Sequence, residues 1–338
     1  MRCIIPAAGQ GTRLRPQTHT KPKALLSLGN KPIISHILDN VVNANIKDIV
    51  IVVGYEKDQL INYVKANYGD SCNFSFIEQK NRKGLGHAIY SASEYLDGDP
   101  VLITLGDSLY ENSFSHMLKE FNDFPDWNGA IAVKSVSNPQ AYGIVYTDKE
   151  TNSIEKLEEK PKNPSSSLAI TGVYVIRNSL DLKKALNELI TSEQIGAGGE
   201  FQLTDALQIM IDKGLNLGTI DSGRWFDCGQ KKALLAAHKF VLDKSDTSFI
   251  ESGLENTITI SPVSVQENCR ISNSIIGPYV SIDKNTVIDK SILSSSIVGR
   301  SSHISNSILH DSLIGDEVKL IGRGHDLNIG DHSKVQFF

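Results

Sequence analysis

A glycine-rich segment with several cations stands near the start of this 338-residue chain. It reads Gly9-Gln10-Gly11-Thr12-Arg13-Leu14-Arg15-Pro16, and Lys21 and Lys23 follow it. Glycines let backbone N–H groups approach an anion closely, while arginine and lysine add fixed positive charge, so this segment predicts a phosphate-binding loop. A Walker A loop does not fit, because it requires lysine after its last glycine, where this chain has Thr12. A dinucleotide fingerprint requires a third glycine, which is absent.

Short apolar runs alternate with helical patterns around this loop. A buried strand is predicted over Cys3 to Ala7 and another over Asp48 to Val53, with an apolar helical stripe over Lys31 to Ala44 between them. Two more strand–helix pairs follow before residue 122. This alternation predicts a parallel or mixed α/β sheet with helices on both sides. Ligands of such sheets bind beyond the carboxyl ends of the strands, which points to the loops Ala8 to Pro22 and Gly106 to Ser108.

The last 90 or so residues carry short self-similar units in place of helical patterns. They are Asn273 to Gly277, Lys290 to Ser294, Ser295 to Gly299, Asn306 to His310 and Asp311 to Gly315. The second and fourth units start sixteen residues apart, as do the third and fifth, and the first and second start seventeen apart. Such spacing is typical of a hexapeptide-type β-helix. We therefore expect two domains, residues 1–244 and 249–338, joined by a polar linker.

The composition excludes several functional classes. A formal net charge of -5 argues against a general nucleic-acid binder. The four cysteines lie far apart in the sequence and show no metal-ligand spacing, which is typical of a reducing compartment. No stretch is long and apolar enough to span a membrane, and the N-terminal apolar run is too short for a signal peptide. We expect a cytoplasmic protein without nucleic-acid or membrane partners.

The loop sequence GQGTRLRPQTHTKPKALL, from Gly9 to Leu26, resembles the signature of the sugar-1-phosphate nucleotidyltransferases. Further pieces follow in the family's order. They are Gln79 before Gly84-Leu85-Gly86-His87-Ala88, Leu105-Gly106-Asp107, Tyr142-Gly143, Glu158-Glu159-Lys160-Pro161, Thr171-Gly172-Val173-Tyr174, Gly199-Glu200 before Leu203-Thr204-Asp205, and Trp225-Phe226-Asp227-Cys228-Gly229. Within the family, the chain is most similar to glucose-1-phosphate thymidylyltransferases of the longer form that ends in a β-helix. The resemblance implies a Rossmann-like mixed, mostly parallel sheet followed by a short left-handed parallel β-helix.

The resemblance also implies roles for individual residues. The residues it assigns to the nucleotide are Ala8, Gly9, Gly11, Thr12, Arg13, Gln79, Gly84 and Asp107. Those it assigns to the sugar are Gly143, Glu159, Lys160 and Thr171, and Asp107 and Asp227 would bind Mg2+. Arg13, Lys23 and Lys160 would be catalytic, the first two facing the triphosphate and the third holding the sugar phosphate. The expected partners are an NTP and a sugar-1-phosphate, in an enzyme that forms homo-oligomers.

The chemistry agrees with this set of residues. A phosphate oxygen of glucose-1-phosphate would attack the α-phosphorus of dTTP or UTP, giving NDP-glucose and pyrophosphate. The attacking monoester is already an anion near neutral pH, since its second pKa is about 6, so no general base is required. Catalysis should come from positioning and charge neutralisation. The stretch Gly196 to Glu200 lacks the arginine that thymidylyltransferases tend to carry there, so the sugar phosphate would depend more on Lys160.

Several alternatives stay open at this stage. Thymine and uracil differ by one methyl group, which supports only about 1–3 kcal/mol of discrimination. The chain could be a mannose-1-phosphate guanylyltransferase, or a non-catalytic nucleotide-sugar-binding regulatory subunit. The β-helix could be a coenzyme A-dependent acyltransferase, with candidate bases His303, His310, His325 and His332. We favour a role of the β-helix in oligomer assembly or lid packing.

Overall fold

The computed structural model describes residues 1–148, 151–193, 195–244, 249–250, 253–322 and 333. They form two compact units. The first comprises Met1–Ser27 and Lys31–Ala237, and the second comprises Leu28–Asn30 and His238–Phe338. The domain limits 1–244 and 249–338 stay a prediction.

The helices are α1 (Ile33–Asn43), α2 (Lys57–Tyr68), α3 (Leu85–Ser91), α4 (Phe114–Asn122), α5 (Ser179–Thr191), α6 (Leu203–Asp212) and α7 (Lys231–Asp243). The strands up to residue 230 are β1 (Arg2–Pro6), β2 (Ser27–Leu28), β3 (Lys31–Pro32), β4 (Asp48–Val53), β5 (Asn73–Glu78), β6 (Val101–Thr104), β7 (Ser108–Tyr110), β8 (Gly129–Ser135), β9 (Gly143–Thr147), β10 (Ile154–Glu159), β11 (Leu168–Ile176), β12 (Leu217–Asp221) and β13 (Trp225–Asp227). The predicted strands and helices of the N-terminal region are confirmed to within about two residues at most ends.

The central element of the first unit is, within the described residues, a nine-stranded mixed sheet. Strands β6, β1, β4 and β5 are neighbours and run parallel. Strand β11 runs antiparallel to β6, β8 and β9, and β12 is parallel to β8. This arrangement confirms the predicted mixed, mostly parallel α/β fold. Because β1 and β6 are adjacent, the loops after their carboxyl ends lie side by side.

The sheet is buried on both faces, as the continuous apolar strands predict. One face packs against α3, α5 and α6, whose buried side chains share a core with alternate strand residues such as Ile4 and Ile103. The intervening residues Cys3 and Ile5 point to the opposite face and are also fully buried. On that opposite face α4 contacts β8 and β12. Sequence patterning therefore predicted the layered architecture correctly.

Strand β11 changes partner halfway along its length. Its first half pairs with β9 at Ala169, and its second half pairs with β6 from Val173 onward. An irregularity between Ile170 and Tyr174 separates the two halves, and Gly172 there has φ of 98°, a conformation that favours glycine. The sheet is thus split between β6 and β9 at this point.

The second unit is built from short parallel strands. They are β14 (Phe249–Ile250), β15 (Leu254–Glu255), β16 (Ile258–Thr259), β17 (Val263–Val265), β18 (Arg270–Ser272), β19 (Ile275–Ile276), β20 (Val280–Ile282), β21 (Val287–Asp289), β22 (Ile292–Ser294), β23 (Ser296–Val298), β24 (His303–Ser305), β25 (Ile308–His310), β26 (Leu313–Ile314) and β27 (Lys319–Ile321). Every third strand belongs to the same sheet, so the described part of the unit has three stacked sheets. This is a β-helix, as the repeat predicts.

The register reproduces the spacing seen in the sequence. Val263 pairs with Val280, seventeen residues later, and Val280 pairs with Ser296, sixteen residues later. The same two steps recur in the other two sheets. The inward residues form the core of the unit, which includes Ile276, Leu293 and Ile304.

A column of buried serines satisfies the backbone at one corner of the coil. The Ser274 hydroxyl accepts the Ser291 N–H at 3.1 Å, and the Ser291 hydroxyl accepts the Ser307 N–H at 3.2 Å. The hydroxyls of Ser274, Ser291 and Ser307 each also donate to the carbonyl two residues earlier. The repeated serine of the sequence units therefore links one coil to the next through otherwise unpaired backbone groups.

Candidate active site

A first cavity of about 400 Å³ opens at the carboxyl ends of β1 and β6. Its lining combines the predicted phosphate loop with the loop after β6. The lining residues are Pro6, Ala7, Gly9, Gly11, Thr12, Arg13, Lys23, Ala24, Gly106, Asp107, Glu200 and Gly229. Six of the predicted site residues are therefore brought together here, at the edge of the sheet where a parallel fold places its ligands.

The shape of the phosphate loop depends on Gly11. Its φ of 63° lies in the left-handed region, and a Cβ at this position would come within 3.1 Å of side-chain atoms of Lys23 and Thr18. The Thr18 hydroxyl donates to the Gly11 carbonyl at 2.8 Å and closes the loop. Glycine here lets the loop fold tightly beside Lys23 while its backbone remains on the cavity wall.

The two predicted metal-binding aspartates meet through a two-stranded pairing. Strand β13 runs antiparallel to β7, with Asp227 opposite Ser108, the residue after Asp107. The Cys228 N–H donates to the Asp107 carbonyl at 3.2 Å and fixes this arrangement. Cys228 itself is buried, and burial raises the pKa of its thiol, so it remains a neutral packing group.

Lys23 lies between these two carboxylates. Its Nζ is 2.6 Å from Asp107 Oδ2 and 3.6 Å from Asp227 Oδ1. Burial lowers the pKa of Lys23, but the charge and hydrogen bond of Asp107 and the charge of Asp227 outweigh burial, and the net pKa is raised above its ordinary value. Lys23 is therefore a fixed, buried cation on the wall of the first cavity.

A second cavity of about 240 Å³ adjoins the first and lies where β11 turns from β9 to β6. Its lining residues are Arg13, Leu85, Leu105, Asp107, Ser108, Ala141, Tyr142, Gly143, Glu159, Ile170, Gly172, Tyr174, Gln202, Leu203, Thr204, Trp225 and Asp227. Arg13 and Asp107 line both cavities. Ligands bound in the two cavities would therefore meet beside the Arg13 guanidinium and the Asp107 carboxylate.

Glu159 is an acidic group of the second cavity that contacts from neighbouring residues hold in place. Thr204 Oγ1 donates to its Oε2 at 2.7 Å, and a Cβ on Gly143 would come within 2.8 Å of the same oxygen. The other carboxylate oxygen lies 3.7 Å from Lys160 Nζ. Gly143 therefore leaves room for the Glu159 carboxylate, which can accept hydrogen bonds from a hydroxylated ligand.

Lys160 has a backbone conformation that is uncommon for a non-glycine residue. Its φ is 46°, and its N–H donates to the Tyr142 carbonyl at 3.0 Å. Half of its side chain is exposed, and it is not among the lining residues of either cavity. A left-handed residue directly after β10 turns the chain sharply beside Glu159, and such positions are often held at functional sites.

Tyr142 and Trp225 form an aromatic wall of the second cavity. Their rings meet edge to face with centroids 5.1 Å apart. Burial raises the pKa of the Tyr142 hydroxyl, and Asp227 adds to this effect. Among the described residues, Trp225 Nε1 is a buried donor without a hydrogen-bond partner.

Besides Lys160, four predicted site residues lie outside both cavity walls. Ala8 is buried, although its neighbours Ala7 and Gly9 line the first cavity. Gln79 donates to the Gly84 carbonyl at 3.1 Å, so these two are brought together at a separate position. Thr171 is fully buried and its hydroxyl donates to the Ala132 carbonyl at 2.9 Å. Its neighbour Gly172 lines the second cavity instead, and the predicted roles of these four residues stay predictions.

Several lining residues were not predicted as site residues. The most informative are Glu200, Thr204, Trp225 and Gly229. All four lie inside the family motifs of the sequence, so the resemblance could have identified them. Their residue types and immediate sequence neighbours, however, did not indicate a chemical role. The contact of the Thr204 hydroxyl with Glu159 joins two residues that are 45 positions apart in the sequence.

The donor set fits a magnesium ion in part of this site. Among the described residues, no group of three or more His, Cys, Asp and Glu side chains converges in a way that could hold a metal alone. Mg2+ is commonly held by one or two carboxylates together with water and substrate phosphates. Asp107 and Asp227 both form ion pairs with Lys23, and their carboxylates are suitable as the two carboxylate ligands of Mg2+.

In the described part of the chain, no helix has the length and apolar character needed to cross a membrane. Of the histidines considered as acyl-transfer bases, His303 and His310 are exposed on the β-helix surface. His325 and His332 lie outside the described residues.

Comparisons with known proteins agree with this geometry. The chain is 33% identical over 338 residues to the Bifunctional protein GlmU of Methanocaldococcus jannaschii, covering 94% of this chain and 77% of that protein. It is 30% identical over 365 residues to a glucose-1-phosphate thymidylyltransferase of Streptomyces griseus, with 99% of each chain covered. A structure of UDP-glucose pyrophosphorylase complexed with UDP-glucose superposes with a TM-score of 0.63 at 27% identity, covering 72% of this chain and 98% of that one. Residues 2–244 match the family described as Nucleotidyl transferase. The chain therefore belongs to this family and is a sugar-1-phosphate nucleotidyltransferase.

Proposed function

We propose that the enzyme transfers a nucleotidyl group from dTTP or UTP to glucose-1-phosphate, releasing pyrophosphate. The observation that carries this proposal is the junction of the two cavities at Arg13 and Asp107. The first cavity, with its glycine loop and buried Lys23, suits a triphosphate. The second, with the Glu159 carboxylate and the aromatic wall of Tyr142 and Trp225, suits a sugar.

The reaction forms one bond and breaks another at the α-phosphorus. A phosphate oxygen of glucose-1-phosphate attacks this phosphorus, and the bridging oxygen to the β-phosphate leaves with pyrophosphate. The nucleophile is an anion near neutral pH, since the second pKa of its phosphate is about 6, so no side chain has to remove a proton. The requirement is to bring two anions together, and Arg13 and Lys23 supply positive charge at that point.

Lys160 is assigned to the phosphate of the sugar, and Glu159 to its hydroxyls. The Lys160 side chain is half-exposed, and its Nζ is 3.7 Å from Oε1 of Glu159, a residue that lines the second cavity. Asp107 and Asp227 would hold Mg2+, which would supply further neutralisation of phosphate charge when bound. Gln79 and Gly84 are assigned to the pyrimidine ring, and this assignment favours dTTP or UTP over GTP.

The test is pyrophosphate release with glucose-1-phosphate, Mg2+ and each of dTTP, UTP, GTP, CTP and ATP in turn. We expect turnover with dTTP, UTP or both, and loss of that turnover in Asp107→Asn, which controls for a contaminating host enzyme. Turnover only with mannose-1-phosphate and GTP would replace the proposal with the guanylyltransferase alternative. Acetyl transfer from acetyl coenzyme A to an amino sugar phosphate would show a second activity that we do not expect.

The non-catalytic alternative has its own outcome. If mannose-, galactose- and N-acetylglucosamine-1-phosphates also gave no pyrophosphate, calorimetric binding of an NDP-sugar would identify a regulatory subunit. The retention of Arg13, Lys23, Asp107, Lys160 and Asp227 argues against this outcome.

A further inference from the structure

A buried glutamine stands at the carboxyl end of β5. Gln79 is 6% exposed, and its backbone N–H donates to the Val53 carbonyl at 2.9 Å, at the edge of the sheet that also carries the phosphate loop. Its side chain contacts Gly84, and a Cβ on Gly84 would come within 2.8 Å of the Cβ of Glu200, a lining residue of the first cavity. Gln79 and Gly84 therefore lie beside the space that the proposed function gives to the triphosphate.

Both N–H groups of the Gln79 amide have partners inside the protein. Nε2 donates to the Gly84 carbonyl at 3.1 Å and to Nδ1 of His87 at 3.1 Å. A carbonyl oxygen can only accept, so the amide nitrogen has to face Gly84, and the amide cannot be turned over. The amide oxygen Oε1 is left, and no described residue donates a hydrogen bond to it. This buried side chain thus presents a single acceptor that needs a donor.

His87 can accept the second N–H of this amide in one form only. Because an amide nitrogen donates, Nδ1 has to carry the lone pair, and the proton of the neutral ring is on Nε2. Burial, with a smaller effect of Lys83, lowers the pKa of His87 and keeps the ring neutral near neutral pH. His87 is the third residue of α3, and the start of this helix is fixed because the Gly86 N–H donates to the Phe201 carbonyl at 2.8 Å. The fold therefore holds an acceptor against the amide.

We infer that His87 is a positioning residue for base selection, which holds the Gln79 amide so that Oε1 accepts the ring N–H of the nucleotide base. This inference rests on the proposed function, which assigns Gln79 to a pyrimidine. Uracil and thymine carry a hydrogen on N3, whereas N3 of cytosine carries a lone pair. A fixed acceptor oxygen therefore pairs with UTP or dTTP and repels CTP, so the site discriminates by repulsion as well as by attraction.

The amide needs both of its acceptors to be held in one orientation. With the Gly84 carbonyl alone, the amide could pivot about a single hydrogen bond, and Oε1 would move with it. Nδ1 of His87 adds a second fixed point, which sets the plane of the amide. An apolar residue at position 87 would leave one buried N–H of Gln79 without a partner, and the amide could satisfy this N–H only by rotating. Rotation would move Oε1 away from the base.

Calorimetric binding of the free nucleotides with Mg2+ tests the inference without any sugar phosphate. The wild type should bind UTP or dTTP with a Kd at least about a hundredfold lower than that for CTP. In His87→Leu this ratio should fall about tenfold, mainly through weaker binding of UTP and dTTP. His87→Asn should restore most of the ratio, because asparagine can place an acceptor oxygen near the position of Nδ1. Circular dichroism checks that each variant is folded.

The matched control is Ser91→Ala, on the same helix. The Ser91 hydroxyl donates to the His87 carbonyl at 2.9 Å and not to its ring, so this variant should keep the wild-type ratio. Steady-state kinetics adds a readout that a general loss of structure would not give. In His87→Leu the KM for UTP should rise about tenfold, while the KM for glucose-1-phosphate stays constant.

A second test uses the wild type and does not depend on how His87→Leu folds. NMR of the 15N-histidine-labelled chain should show the proton of the His87 ring on Nε2, with the signals assigned by their loss in His87→Asn. A proton on Nδ1 would overturn the inference, because Nδ1 could then not accept from Gln79.

The outcomes separate this inference from the proposed function. Equal binding of UTP and CTP by the wild type, or the wild-type ratio in His87→Leu, would overturn the inference, while turnover of UTP with glucose-1-phosphate would leave the proposed function standing. The expected ratios without any such turnover would support the role of His87 and remove glucose-1-phosphate as the substrate. A chain that binds neither UTP nor dTTP would overturn both.

Discussion

Lys23 Nζ lies 2.6 Å from Asp107 Oδ2, and the same ammonium group reaches Asp227 Oδ1 at 3.6 Å. One buried cation thus neutralises two carboxylates that come from distant parts of the chain. Because the two carboxylates are also the proposed ligands of Mg2+, Lys23 and the metal would act on the same pair of negative charges. This relationship leads to the first two predictions.

Replacing Lys23 with methionine should leave Asp107 and Asp227 facing each other without a cation. We expect a loss of about 1–3 kcal/mol in the free energy of unfolding, since the broken pair is only partly exposed. Mg2+ should then raise the melting temperature more in Lys23→Met than in the wild type. Differential scanning fluorimetry with and without Mg2+ measures this difference. Lys57→Met is the control, because it breaks an exposed pair with Glu78 and should change the melting temperature little.

Asp107→Asn and Asp227→Asn should each reduce kcat at least about a hundredfold, because each removes a charge that the transition state requires. Circular dichroism should show an unchanged fold, since asparagine has the same shape as aspartate. Asp126→Asn, at an exposed position, should keep wild-type kcat. Pyrophosphate release measured over a Mg2+ titration checks the prediction, and wild-type turnover with unchanged Mg2+ dependence in either site variant would show that the metal assignment is wrong.

Thr204→Val should weaken binding of the sugar phosphate without removing any residue that carries charge. The Thr204 hydroxyl holds Glu159 at 2.7 Å, so its loss frees the carboxylate to rotate. We expect KM for the sugar phosphate to rise about tenfold, which corresponds to about 1.4 kcal/mol, while KM for the NTP stays constant. Steady-state kinetics with each substrate varied in turn separates the two effects. Thr191→Val, at an exposed helix end, should change neither constant.

His238 makes the stability of the second unit dependent on pH. Its side chain is fully buried and Nδ1 accepts the Gly29 N–H at 3.1 Å. Burial, with a smaller contribution from Lys239, lowers the pKa of His238 from 6.5 to about 4, against the opposing effect of a hydrogen bond with Tyr279. The unfolded chain therefore binds a proton between these pH values that the folded unit does not bind. The free energy of unfolding should be highest above pH 6.5 and should fall by up to about 3 kcal/mol as pH decreases towards 4.

Urea unfolding at pH 7.5 and pH 5 tests this prediction. In His238→Asn, the asparagine oxygen can still accept the Gly29 N–H but does not titrate, so the difference between the two pH values should shrink. His116→Asn, at an exposed position, should keep the wild-type difference. An equal pH dependence in the wild type and in His238→Asn would assign the effect to other groups.

The sequence by itself determined the features that are local. The phosphate loop could be predicted because the backbone freedom of glycine and the charge of a cationic side chain are local properties. Gly11 does have the left-handed conformation that the loop requires. The β-helix could be predicted because the sequence units repeat with the same spacing that separates paired residues on successive strands. The layered sheet could be predicted from the alternation of strands and helices, because apolar strands of that length have to be buried on both faces of the sheet.

The tertiary structure alone decided how distant residues meet. Asp107 and Asp227 come together through the pairing of β7 with β13, and no local pattern predicts the partner of a three-residue strand. The second cavity exists because β11 leaves β9 for β6 at Gly172, and this exchange also places Thr171 behind the wall instead of on it. Spacing and residue type specify local geometry, whereas strand partners and the gaps between them result from packing the whole sheet.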